Sequence, residues 1–314
     1  TTEFARVGES MPVKQALDQI ARQAEQLETI YYIYVLDDEG HLHGLVSARE
    51  LLSATRFPDR PVGEIMERDL LTVNVSEDQE EVALKVAKYD LLAIPVVDDE
   101  HRMLGIITHD DVIDVMAEEA IEDAHLAAAV APLDGSYMST PLIELTRKRA
   151  IWLTVLFFGA MLTAIAINHH EADLDSVPWL VVFLTVIISS GGNSGNQSAA
   201  LVITALSAGE ISVSDWWRIV RREFAMGILL GGLLGACGYF CAILRSDVNA
   251  YAAIVLPVTL VLVVLSGTVL GSMLPLVFRR LGLDPALMSN PVVAGVLDVL
   301  GFLIYMNVAM TLLR

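Results

Sequence analysis

IYYIYVLDDEGHLHGLVSARELL, residues 30–52, is matched further along by LLAIPVVDDEHRMLGIITHDDVIDVM, residues 91–116. Each stretch reads as an apolar strand, an acidic turn, a second short strand beginning at a glycine, and then a helix. Gly44 and Gly105 hold the same place in the two copies, 61 residues apart. Helical patterns precede both strands: PVKQALDQIARQAEQL over 12–27 and DQEEVALKVAKYD over 78–90. The tandem unit predicts an α+β domain built by duplication.

Beyond it, HDDVIDVMAEEAIEDAHLAAAV, residues 109–130, predicts a long helix. Asp111, Asp114, Glu118, Glu119, Glu122 and Asp123 recur along it at spacings of three and four. Like charges so placed destabilise an isolated helix, and a bridging cation relieves that cost. PLDGSYMSTP, residues 132–141, has turn chemistry. LIELTRKRA, residues 142–150, then leads as a connecting helix into an apolar region.

The chain has 314 residues, 54% of them hydrophobic, and the apolar ones gather after about residue 150. A bilayer core of about 30 Å needs about 20 such residues per helix. Five spans are expected, at about 150–168, 177–206, 223–244, 251–278 and 287–313. The fold class is therefore an α+β N-terminal domain followed by an all-α membrane domain of five helices. Residues 1–130 form the first domain, 131–149 the connector and 150–314 the membrane domain.

Charge divides the same way. Residues 1–140 carry 29 Asp and Glu against 10 Lys and Arg, and the remainder carries 10 of each. The whole net charge of −19 thus sits in the N-terminal part. It reads either as a solvated acidic surface or as a cation-binding one, since crowded carboxylates repel until divalent ions neutralise them. It argues against nucleic acid as a partner. Arg147–Arg149, Arg218 with Arg221 and Arg222, and Arg279 with Arg280 fall on one side if the chain crosses at every span. The positive-inside rule then puts the N-terminal domain in the cytoplasm and the C-terminus outside a cell or inner membrane. Charged residues open the chain at Thr1, so no signal peptide is expected, and the missing Met points to a longer native N-terminus.

Cys237 and Cys241 lie on one face of an apolar helix, read as small packing residues rather than a metal pair or disulfide framework. His169 and His170 are expected to face solvent in an outside loop.

Two apolar segments carry chemistry. SSGGNSGNQSAA, residues 189–200, sets glycines and amides in mid-span. Such groups suit close helix packing through Gly191, Gly192 and Gly195, with Asn193, Asn196 and Gln197 bonding between helices. They equally suit the wall of an ion path, and the two roles are compatible. The last span holds what reads as the only carboxylate deep in the membrane, Asp298, about 12 residues into a helix expected from Pro285 and so about 18 Å along it. An intramembrane carboxylate marks an ion pathway by default. Asn290, Ala294 and Asp298 follow at i, i+4 and i+8, one oxygen-bearing stripe suited to hard cations such as hydrated Mg²⁺. A two-fold axis would set two Asp298 carboxylates against one 2+ charge.

The tandem unit resembles a CBS pair. With GGNSGNQSAALVITAL and LGLDPALMSNPVVAGVLDVLGFLIY, the chain from residue 30 onward is similar to the MgtE family of magnesium transporters and channels. The resemblance implies a homodimer, five spans per chain, and a central pore in which Asp298 selects Mg²⁺. Ala294 and Asn290 match carbonyl and gate positions, and Asp284 matches an aspartate at the cytoplasmic mouth. Gly192, Asn193 and Asn196 would line the path. In that family Mg²⁺ bound among sensor carboxylates closes the pore; the matching positions are Asp78, Glu80, Asp90, Asp111, Asp114, Glu119, Glu122 and Asp123. The family's CBS pair can take ATP, and Tyr32, Arg49 and Glu50 occupy matching places. Two departures stand out: the acidic helical domain usual before the CBS pair is almost wholly missing, and Leu91 replaces an aromatic ring expected to stack on adenine.

Mg²⁺ passage gated by internal Mg²⁺ is therefore the leading expectation. A broader Co²⁺, Mn²⁺ or Ca²⁺ transporter and a non-conducting membrane-anchored nucleotide sensor are the alternatives. No nucleophile–base pair, phosphate-cradling loop or metal triad points to an enzyme.

Overall fold

The computed structural model describes residues 1–27, 29–133, 135–287 and 290–313. The chain forms two compact units, Thr1–Ala120 and Ile121–Arg314.

The first unit contains β1 (Phe4–Gly8), α1 (Val13–Gln23), β2 (Thr29–Leu36), β3 (Leu42–Ser47), α2 (Ala48–Ser53), β4 (Val73–Asn74), α3 (Gln79–Lys88), β5 (Ala93–Val97) and β6 (Met103–Thr108). The helix α4 (His109–Ala127) begins here and crosses the unit boundary. The duplication is visible in the pairing. β1 runs parallel to β2 and β2 antiparallel to β3; β4, β5 and β6 repeat the scheme. Gly44 pairs with Val35 and Gly105 with Val96, so the two glycines hold the same register.

A second strand of backbone crosses each of them. A Cβ at Gly44 would lie 2.7 Å from the Glu67 carbonyl oxygen, and one at Gly105 would lie 2.6 Å from that of Thr1. Leu45 and Glu67 exchange backbone hydrogen bonds, and Ile106 N–H donates to Thr1 O at 2.9 Å. A side chain at either place would push the crossing segment off the sheet.

The strand period of two sends alternate β2 residues to opposite faces. Ile33 and Val35 join Ala5, Val7, Val13, Ala16, Ile20 and Leu51 in one core. Tyr34 and Leu36 join Leu42, Ala93, Val97 and Ile106 in another. Both faces of its second half, Ile33–Leu36, are thus covered, which is why that stretch reads as an unbroken apolar run.

The second unit contains α5 (Leu142–His169), α6 (Glu171–Ser176), α7 (Trp179–Ser207), α8 (Trp216–Ile243), α9 (Val255–Arg280) and α10 (Asn290–Leu313). Of the expected connector, residues 142–149 form one continuous helix with the first span, α5, and 131–141 precede it. Segments Leu142–His169, Val213–Ile243, Ala252–Arg280 and Pro291–Leu313 are long and apolar enough to cross a membrane. At 29 residues α7 is as long, but it is not among them, because its glycines and amides lower its apolarity. Leu180, Ile187, Leu256, Val263, Phe302 and Tyr305 form the main core of this unit. Tyr305 Oη donates to the Leu180 carbonyl at 3.0 Å, tying α10 to α7. α5 packs against α10 and buries none of its own residues.

Three expectations are corrected. α10 starts at Asn290, because Pro285–Leu287 closes as a separate 3-10 turn and Asp284 Oδ1 accepts the Ala286 N–H at 2.8 Å. Asp298 therefore lies about 12 Å along a helix of about 36 Å, a third of the way rather than half. Cys237 and Cys241 are exposed, not packed between helices. His170 is not turned wholly to solvent: its ring meets Phe302 edge-on at 5.6 Å, and its Nδ1 lies 3.0 Å from the Ala166 carbonyl.

Candidate functional site

The glycine-rich block of α7 faces two neighbours. Against α9 the backbones meet directly: a Cβ on Gly267 would lie 2.6 Å from the Gly191 carbonyl, and one on Gly271 would overlap the Gly195 carbonyl. Against α10, a Cβ on Gly195 would overlap Leu297 and lie 3.1 Å from Val293. Gly191 and Gly195 are therefore packing glycines, as close helix approach in a membrane requires.

Gly192 is different. A Cβ there would sit 3.6 Å from Asp298 Oδ1 and 3.6 Å from the Ala294 Cβ, ordinary contact with no overlap. So α7 presents Gly192 to Ala294 and Asp298 on α10, and three of the expected path residues come together. Asp298 is half-buried and has no hydrogen-bond or ion-pair partner among the described residues. Asn290 opens α10, and its side chain lies outside the described set.

The amides do not bond between helices as expected. Asn193 is exposed and donates to Ser189 Oγ of its own helix at 3.2 Å. Asn196 Oδ1 is buried without a hydrogen-bond partner among the described residues. Serines make the inter-helix bonds instead: Ser194 Oγ to the Val264 carbonyl at 3.5 Å, and Ser198 Oγ to Glu223 Oε2 at 2.6 Å.

The expected sensor carboxylates are spread along two helices and a turn. Asp78 caps α3, accepting the Glu80 N–H at 2.9 Å. Glu80 stands in the first turn of that helix. Asp90 follows α3 with a left-handed backbone, φ 51°, which Asp tolerates better than most residues. Asp111 Oδ2 accepts Thr108 Oγ1 at 3.0 Å, and Glu119 Oε1 accepts Gln79 Nε2 at 2.7 Å. Asp114 and Glu122 are exposed. Asp123 accepts Ser207 Oγ at 3.0 Å. Among the described residues no three His, Cys, Asp or Glu side chains gather as a metal site.

Of the residues matched to a nucleotide site, Tyr32 packs beside the second sheet-face core, and Arg49 is exposed. Glu50 is engaged: its Oε2 accepts both the N–H and the hydroxyl of Ser47 in a capping box. Thr29, Tyr31, Leu92, Thr108, His109 and Asp110 line a nearby cleft of about 250 Å³.

A family model described as MgtE, a divalent cation transporter, matches residues 184–308, and one for the CBS domain matches residues 1–56 and 62–118. The magnesium transporter MgtE of Thermus thermophilus is 42% identical over all of this chain, which spans 69% of that protein. The magnesium transporter MgtE of Enterococcus faecalis is 32% identical, again over all of this chain and over 68% of its own length. The chain belongs to the MgtE family. A crystal structure described as the cytosolic domain of the Mg²⁺ channel MgtE in complex with ATP is 47% identical, covering 37% of this chain and 46% of that one at a TM-score of 0.35.

Sequence reading missed four features of this MgtE-family chain. Glu223, counted as the edge of a span, is the eighth residue of α8 and half-buried, so Asp298 is not the one carboxylate inside the membrane-length helices. Its partner Ser198 belongs to the same block as the path glycines. Ser207, at the end of α7, donates to Asp123 Oδ2. Leu126, Ile203 and Ala286 form a small core joining the ends of α4 and α7 to the turn before α10. The small-residue pattern of α7 and the single Glu among the arginines of α8 were the available signals.

Proposed function

We propose that this chain conducts Mg²⁺ across a membrane, that α5, α7, α8, α9 and α10 all cross it, and that two copies pair with the path on their shared axis. Asp298 carries the reading. It is a carboxylate on a membrane-length helix, set against Gly192 and Ala294, with no cation near it among the described residues. On insertion scales such a charge costs about 2.5–3.5 kcal/mol at the centre of a span and less nearer its end, a cost relieved where ions and water pass.

The exposed side of α7 supports the pairing. Ser189, Asn193 and Gln197 are exposed at i, i+4 and i+8. A polar stripe of that kind is unfavourable against lipid but suits a watery path closed by a second copy. Two Asp298 side chains would balance one divalent ion.

In this reading residues 1–130 sense Mg²⁺, 131–149 connect and 150–314 form the pore. The sensor lies in the cytoplasm and the C-terminus outside, a reading the arginine clusters support. Internal Mg²⁺ gathers Asp78, Glu80, Asp90, Asp111, Asp114, Glu119, Glu122 and Asp123 and favours the closed state. The last turns of α4 offer a route, through Asp123 to Ser207 and through Leu126 to Ile203 and Ala286. ATP enters as a sensor ligand, with Arg49 the one of its three matched residues left free to meet a phosphate.

Mg²⁺ flux into liposomes, beside Asp298→Ala, tests the path. Flux should vanish in the variant; flux of wild-type size would remove Asp298 from the path. Ca²⁺ or Mn²⁺ carried as fast as Mg²⁺ would widen the substrate class. Loss of inhibition by internal Mg²⁺ in an Asp111→Asn/Asp114→Asn/Glu119→Gln variant would support the gate, and unchanged inhibition would refute it.

A further inference from the structure

Glu223 and Ser198 meet where three helices join. Ser198 is buried on α7, six residues and so about 9 Å beyond Gly192. Its hydroxyl donates to Glu223 Oε2 at 2.6 Å, in the short range of hydroxyl–carboxylate bonds. On the other side, Thr268 Oγ1 on α9 lies 3.1 Å from the Glu223 carbonyl and 3.1 Å from the Leu265 carbonyl of its own helix, sharing its one proton between them. One turn on, α8 lies so close to α9 that a Cβ at Gly227 would fall 2.7 Å from Thr268 Oγ1 and 2.8 Å from the Leu265 Cα. Gly231 and Gly235 continue this close contact along α9.

Glu223 therefore reaches from a helix pinned on α9 across to α7. No Lys, Arg or His lies within 4.0 Å of its carboxylate among the described residues, and Arg218, Arg221 and Arg222 are exposed. The carboxylate is thus not placed as half of an ion pair. Over Gly191–Gly195 α7 offers its neighbours little side chain of its own, so polar ties beside this stretch help to fix its rotation and height. The Ser198–Glu223 bond supplies one.

We propose that Glu223 is a positioning residue for ion passage: through Ser198 it fixes the register of α7, and with it the place of Gly192 opposite Ala294 and Asp298. The inference rests on the path proposed above. It adds that selectivity depends on a carboxylate that never touches the ion.

The test is flux through the full chain in liposomes for Ser198→Ala, Glu223→Ala, Glu223→Gln and the Ser198→Ala/Glu223→Ala double variant, beside Asp298→Ala. Ser198→Ala and Glu223→Ala should each lower Mg²⁺ flux about tenfold, within the range of coupled neighbours, and raise the Ca²⁺ to Mg²⁺ ratio. The double variant should be no worse than either single one. Glu223→Gln should recover most of the flux and the selectivity, because its amide oxygen still accepts from Ser198. Ser198→Ala removes a single oxygen, so it remains informative even if Glu223→Ala fails to fold. Wild-type flux and selectivity in Ser198→Ala, additive losses in the double variant, or a Glu223→Gln as impaired as Glu223→Ala would each overturn the tie. Asp298→Ala separates the two proposals: wild-type conduction there refutes the path, whereas a dead Asp298→Ala beside an unaffected Ser198→Ala refutes the tie alone.

Discussion

A methyl group added at Gly192 meets Asp298 and Ala294 at 3.6 Å, while one added at Gly267 comes within 2.6 Å of a carbonyl oxygen that cannot move without its helix. The two substitutions should therefore fail differently. Gly192→Ala should fold with near wild-type thermal stability in detergent yet reduce Mg²⁺ flux, because it narrows the space before Asp298. Gly267→Ala should lose about 1–3 kcal/mol of stability, the usual cost of overpacking. Gly159→Ala, with nothing within 4 Å, is the reference. Asp37 gives a prediction of another kind. Burial pushes its carboxyl up, but the side-chain and backbone hydrogen bonds of His41 outweigh this and hold it at about 2. A carboxyl lowered on folding contributes stability above its unfolded value that fades as pH falls toward 2. Asp37→Asn should thus flatten the acid limb of sensor stability, read by near-UV circular dichroism from pH 5 to pH 2.

α4 sets Asp110, Asp111, Asp114, Glu118, Glu119, Glu122 and Asp123 on one helix, with the first two favoured by its N-terminus and the rest not. Each like-charge pair at helical spacing costs about 0.2–0.5 kcal/mol. Replacing Asp114, Glu118 and Glu122 by amides should raise the thermal midpoint in the absence of Mg²⁺ and shrink the further rise that Mg²⁺ gives. An equal Mg²⁺ shift in both proteins would show that the ion acts elsewhere. This helix was legible in advance because its spacing is periodic, as the duplicated strands were because strand register admits one arrangement. The start of α10 was not. Pro285 reads as a helix's first residue, yet Asp284 caps one separate turn and the helix begins only at Asn290. Glu223 escaped because a span counted by apolarity ends where a charge appears, whereas a helix continues through it. Gly192, Ala294 and Asp298, which the structure brings together, could each be picked out from the sequence; the serines that hold α7 could not, since a hydroxyl in an apolar run names no partner.

At the scale of the whole molecule, the pairing proposed above sets the exposed stripe of α7 near a second copy. Because Cys237 and Cys241 are exposed, they must first be replaced, for example by Ala, before any engineered cysteine can report proximity. In that background Asn193→Cys should cross-link two copies in membranes, whereas Phe157→Cys, exposed on α5, should not. Cross-linking in both or in neither would refute an axis along α7. α5 has a further consequence. It is 28 residues long, but its apolar part, from residue 150 on, runs about 30 Å, the thickness of a hydrocarbon layer, and it buries none of its residues in this chain. A span so matched and held chiefly by α10 meets a change of bilayer thickness by changing its tilt. Acyl-chain length therefore becomes an input to this protein, because a thinner or thicker leaflet would lean the helix that begins at the acidic unit's connector.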